Sequence, residues 1–181
     1  MTRSMHRYPM ALLCDPPTDP DASWAYAALG RALYIACEFE SDCRSLAWVF
    51  KVREPQPTDQ SDDQFLEAVG KVVLGRLLDL NKLIARRAKL PEDYAAMLHA
   101  ARDARNYVAH EAVDDLNRLT KVPNGIARWR EVMAAKLQDI ALGQVIVTVL
   151  ISHNSAEGTP TAEAIDAYPR KIEAWALGGD L

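Results

Sequence analysis

Four stretches of this chain repeat apolar side chains every third or fourth residue, and a proline-bearing break precedes each of them. That pattern leaves few folds open. Apolar residues at three- and four-residue steps line one face of an α-helix, whereas a half-buried strand needs strict alternation. The breaks are "CDPPTDPDAS", "REPQPTDQSDD", "LPEDY" and "KVPNG". Proline fixes φ, lacks an amide donor and disfavours helix at the residue before it. The expected fold is therefore all-α. Long helices with short connections pack as antiparallel neighbours, which makes the expected architecture a four-helix up-and-down bundle.

The first helix is expected over Ser23–Val52, capped by Asp21 or Ser23, with Leu29, Leu33, Ala36, Ala47 and Phe50 facing inward. The second is expected over Asp62–Leu90, with Phe65, Val69, Val72, Val73, Leu77, Leu80 and Ile84 as its stripe. Pro91 suits a first helical turn, and Glu92 and Asp93 favour its positive end, so a third helix runs from there to about Thr120. Its inward side is expected to carry Met97, Ala101, Ala104, Val108, Ala112 and Leu119. The fourth, Gly125–Ser152, ends in the β-branched run "VIVTVLIS", which continues the helical pattern without a break. Three regions follow. Residues 1–22 form an extended or strand-like N-terminal arm, residues 23–155 the bundle, and residues 156–181 a short C-terminal helix interrupted at Pro169. Trp24, Trp48, Trp129 and Trp175 fall on apolar faces or helix ends, as core or interface residues do.

With 181 residues, 49% of them hydrophobic and 25% charged, the chain is long enough for one domain with its own core. A formal net charge of −4 argues against coating nucleic acid through bulk charge, yet leaves room for a local basic groove. Cys14, Cys37 and Cys43 are few, odd in number and without a CxxC pair, as expected of reduced thiols in the cytoplasm. No apolar run approaches the ~20 residues of a membrane span. "MALLC" is followed at once by "DPP" and is too short for the core of a secretion signal. A glycine-rich phosphate loop is missing, so no nucleotide cofactor is expected.

One polar group stands out against this background. In "ARDARNYVAHEAVDDL", residues 101–116, a step of ~100° per residue puts His99, Asp103, Asn106 and His110 within about 60° of one another, opposite the apolar side. Arg105 sits at the edge of the apolar face and Arg102 between the two faces. A solvated stripe is the plain reading of such a face. Exposed helix positions are more often Glu, Lys, Gln or Arg, however, and Asn is a poor helix former. His99, Asp103 and His110 are spaced i, i+4, i+11, which is not a ligand spacing, so no metal is expected. The residue types suit a phosphodiester: His moves protons near neutral pH, Arg matches phosphate oxygens, and Asn offers a donor and an acceptor.

"RNYVAH" resembles the R-N-x-x-x-H signature of HEPN domains, all-helical domains that carry the motif in their third long helix, and "HEAVDD" is similar to the run seen in HEPN toxins of bacterial toxin–antitoxin pairs. Ala112 stands where many of those toxins have tyrosine. The resemblance implies a metal-independent endoribonuclease acting as a homodimer through the third helix, with single-stranded RNA as substrate. The products would be a 2′,3′-cyclic phosphate and a 5′-hydroxyl. It implies His110 as general acid or base, Arg105 as the stabiliser of the transition state and Asn106 as the group that positions His110 or the phosphate. A separate antitoxin protein is an expected partner. Non-catalytic HEPN-like domains also exist, and a nucleotide-, RNA- or protein-binding scaffold is the alternative.

The run from Lys71 to Lys89 places Lys82, Arg86 and Arg87 among six cations against a single Asp79. With Arg102 these are candidates for the wall that guides an RNA backbone, and His99 and Asp103 are candidate accessories. Cations also favour the C-terminal end of any helix, which explains "ARRAK" equally well.

Overall fold

A computed structural model describes residues 20–55, 61–155 and 158–178. The described residues form an all-helical bundle of seven helices with no strand. In order these are α1 (Pro20–Val52), α2 (Asp62–Val73), α3 (Leu77–Arg87), α4 (Glu92–His110), α5 (Ala112–Leu119), α6 (Gly125–Asn154) and α7 (Ala162–Leu177). The expected arm lies mostly outside the described residues, and so does Cys14. Its last three residues, Pro20–Ala22, belong to α1.

The longest helices, α1 and α6, lie against each other. α6 also packs on α4, α5 and α7, while α3 fills the side between α1 and α4. Trp129, Phe39, Leu46, Leu80, Ile84, Leu98, Leu116, Met133, Leu137, Ile140 and Val147 form the fully buried centre. Burying side chains of this size contributes ~1.5–3 kcal/mol each, which overrides weak local preferences such as those of "VIVTVLIS". By length and composition α6 has the apolar character of a membrane span, contrary to the sequence expectation. Here its inward residues from Trp129 to Val147 are core residues, and Gln144 is buried among them.

Two helices expected to be continuous are each broken in two. The second breaks at Leu74–Arg76. The amide of Leu74 donates to the Gly70 and Val72 carbonyls, and Arg76 turns extended (φ −66°, ψ 146°) to start α3. Gly75 is required at this elbow, because a Cβ there would lie 2.9 Å from the Val72 carbonyl oxygen. The third breaks after His110, at Glu111 (φ −119°, ψ −31°). Across that break the Tyr107 hydroxyl donates to Asp115 at 2.9 Å, and the buried Trp129 Nε1 donates to the Ala112 carbonyl at 3.0 Å. In the other direction, α7 runs through Pro169 where an interruption was expected. Hydrogen bonds from Tyr168 to Gln144 and from Gln138 to Glu173 hold it on both sides of the proline.

The inward face of α4 departs from expectation at its first position. Leu98 is fully buried and Met97 is 38% exposed, while Ala101, Ala104, Val108 and Ala112 face inward as expected. A close approach sets this orientation. A Cβ on Gly143 of α6 would meet the Ala101 Cβ at 2.4 Å and Phe39 Cε2 at 3.0 Å, so α1, α4 and α6 touch where a side chain is missing.

Two substitutions test these local arguments by thermal or denaturant unfolding. Gly143→Ala is expected to cost about 2 kcal/mol, since the neighbours on both sides are packed core atoms. Lys89 ends α3 at φ +51° in a left-handed cap, with Leu90 N–H donating to the Ala85 carbonyl at 3.0 Å. Glycine adopts that conformation without the Cβ penalty, so Lys89→Gly is expected to stabilise by about 0.5–1 kcal/mol.

Candidate functional site

Arg105 leaves the inner edge of α4 and reaches α1. Its Nη2 forms an ion pair with Glu40, and its Nη1 donates to Asn106 Oδ1 at 3.3 Å. Glu40 binds a second guanidinium through its other oxygen, Arg44 Nη2 at 2.5 Å. Arg44 in turn donates to the carbonyls of Val73 and Gly75, fastening the α2–α3 elbow to α1. The side chains of Arg105 and Glu40 are 21% and 18% exposed, so the pair is shielded without being dry. Arg105 Nε is buried and has no hydrogen-bond partner among the described residues.

These groups open into a cleft of roughly 460 Å³ bounded by α1, the start of α3 and α4. Four arginines line it, Arg44, Arg76, Arg102 and Arg105, against the carboxylates of Glu40 and Asp103. Asn106, Leu77 and Leu78 complete the wall. Arg102 is held by Asp103 through Nε at 2.9 Å and Nη2 at 2.5 Å, and its Nη1 lies 3.4 Å from His99 Nδ1. Four planar forks on one cleft make an anion site by charge and by shape, since guanidinium matches phosphate oxygens in pairs.

Of the expected site residues, Arg105, Asn106, Arg102 and Asp103 meet in this cleft, with His99 against Arg102. His110, the last residue of α4, is exposed and makes no side-chain hydrogen bond or ion pair among the described residues. It is not among the residues lining the cleft of its own protomer. Between them in sequence, Tyr107 points elsewhere, its ring 5.6 Å from Lys136 Nζ. Burial and the Asp115 carboxylate push the Tyr107 phenol above its ordinary range, so it stays protonated at neutral pH.

The expected RNA wall divides. Lys82 and Arg86 line a second groove, roughly 430 Å³, on the α2–α3 side, with Lys71, Asp79 and an apolar floor of Val72, Leu80 and Leu83. Arg87 turns away to pair with Glu54 at the end of α1. The groove and the cleft adjoin at the elbow, where Gly75 borders one and Arg76 the other. Among the described residues no three His, Cys, Asp or Glu side chains cluster as a metal site.

Sequence reasoning missed Glu40 and Arg44, and it counted Arg76 among the cations of the Lys71–Lys89 run without placing it beside Arg105. The i, i+4 spacing of Glu40 and Arg44 signals a helical ion pair, but nothing local says that the pair abuts α4. No family model, curated protein or solved structure matches the chain significantly.

Glu40 is the test of how far this site is also structural. Glu40→Gln leaves two guanidiniums facing each other in a shielded site. It is expected to destabilise by about 2 kcal/mol, below the ~3–5 kcal/mol of a fully buried pair because solvent reaches both partners. Urea unfolding measures it, and an unchanged midpoint contradicts the shared-carboxylate account.

Proposed function

We propose that this chain is a HEPN-type, metal-independent endoribonuclease that works as a homodimer on single-stranded RNA. The observation that carries the reading is the convergence of Arg105 and Asn106, the adjacent pair of the R-N-x-x-x-H motif, in a cleft with three further arginines. An exposed His110, with no side-chain partner among the described residues, lies on the same helix.

In this reaction the RNA's own 2′-oxygen attacks the neighbouring phosphorus. A bond forms between O2′ and phosphorus while the bond from phosphorus to O5′ breaks. The 2′-hydroxyl proton goes to a base and the leaving 5′-oxygen receives one from an acid, so the ends are a 2′,3′-cyclic phosphate and a 5′-hydroxyl. His110 exchanges these protons, because an imidazole has one nitrogen to accept a proton and another to donate one. Arg105 holds the negative charge that grows on the phosphorane oxygens, and Asn106 orients the phosphate. Arg105 and His110 are ~140° apart around one helix axis, so a single protomer does not aim both at one phosphate. A two-fold partner meeting the exposed side of α4 supplies the second His110, in keeping with the closed symmetry of most homodimers.

Cytoplasmic action within a toxin–antitoxin or defence pair, with a separate protein as antitoxin, completes the proposal. One observation favours the scaffold alternative instead: Glu40 and Asn106 already satisfy much of the Arg105 guanidinium, as a purely architectural arginine requires.

The two readings diverge in one assay. Wild type and His110→Ala are incubated with mixed single-stranded RNA in EDTA, with circular dichroism confirming equal folding. The nuclease reading expects cyclic-phosphate ends from wild type and at least a ~100-fold loss in the variant. Equal inactivity of two equally folded proteins favours the scaffold.

A further inference from the structure

We infer that the cleft holds two consecutive phosphates, one at Arg105 and Asn106 and a second at Arg76 and Arg102. The inference rests on the cleft being the RNA site proposed above and extends it to residues outside the R-N-x-x-x-H motif.

The lining charges come first. Four guanidiniums less two carboxylates leave two positive charges in a protein whose net charge is −4. Each backbone phosphate carries one negative charge, so two of them balance the cleft. Lysine is absent from the lining, and every cation present is the fork that grips a phosphate by two oxygens.

The donors then divide into two sets. Arg105 Nη1 makes only the 3.3 Å contact with Asn106 among the described residues. Arg44 is engaged at both terminal nitrogens, by Glu40 and by the Val73 and Gly75 carbonyls. Its part is to fasten the elbow, and with it Arg76, to α1. Arg76 binds Asp79 only through Nε at 3.0 Å, which leaves both terminal nitrogens without a partner among the described residues. That pair is 80% and 52% exposed, so a phosphate displaces the carboxylate at little cost. Arg102 Nη1 makes only the long 3.4 Å contact with His99. Arg76 and Arg102 therefore have donors to spare in the cleft that the Glu40 pair does not use.

Binding of two short RNAs to the full-length His110→Ala protein tests this by calorimetry, with no cleavage to confuse the readout. The dinucleotide pApA carries one more phosphate than ApA. The inference expects pApA to bind at least about tenfold tighter than ApA, the scale of a charged hydrogen-bonded contact, with a steeper salt dependence. That gap is expected to shrink to under about threefold when Arg76→Ala is added. Arg76 is exposed, so its removal leaves the core intact. Equal affinity for the two ligands, or a gap that survives Arg76→Ala, overturns the second subsite. Inorganic pyrophosphate and ADP identify the source of the phosphates. If both compete as well as pApA while ApA does not, the two-phosphate cleft stands and its ligand is a nucleoside diphosphate. If wild type leaves RNA intact yet the pApA gap holds, the nuclease reading fails and the subsite remains.

Discussion

The missing side chain of Gly143 is the constraint on which the arrangement of this protein depends. At that point the backbone of α6 lies against Ala101 of α4 and Phe39 of α1 with no room for a methyl group. Phe39 is the neighbour of Glu40, and Ala101 is one helical turn before Arg105. The contact that packs three helices thus also sets the distance between the carboxylate and the guanidinium. A site built this way inherits its precision from the core rather than from loops, as functional groups on rigid elements do.

Arg105 answers to two demands at once. An arginine at the margin of an apolar face must reach water or find an anion, and here it finds Glu40. Because Glu40 also binds Arg44, neither guanidinium has a full counter-charge to itself. Replacing one such carboxylate by a phosphate exchanges one charged hydrogen-bond acceptor for another, with little new desolvation. Under the proposed function, the same ion pair that steadies α1 against α4 keeps Arg105 ready for an anionic ligand.

The helices, their apolar stripes and most of the breaks were legible in the sequence, because burial periodicity and proline chemistry act over a few residues. The elbow at Leu74–Arg76 was not. A single glycine in "VVLGRLL" is tolerated within many helices, and here tertiary contacts, above all Arg44 with the Val73 and Gly75 carbonyls, settle the matter. The bend at Glu111 has no breaker residue at all and rests on Trp129, seventeen residues downstream of the Ala112 carbonyl it binds. Met97 and Leu98 are both plausible inward residues on periodicity alone, and the fit around Gly143 selects Leu98. Arg105 and Asn106 could be read because the motif is contiguous. Glu40, Arg44 and Arg76 lie on other elements, and their meeting with α4 is a property of the fold alone.

The concentration of arginines in one cleft has a kinetic consequence for an acidic protein. Beyond a Debye length of ~8 Å at physiological ionic strength, the field of individual guanidiniums is screened. Under the proposed function, an RNA strand meets a protein of net charge −4 and is attracted where it faces the arginine cleft or the adjoining groove of Lys71, Lys82 and Arg86. Encounter is then filtered by orientation before any chemistry begins, and selectivity starts with the geometry of approach.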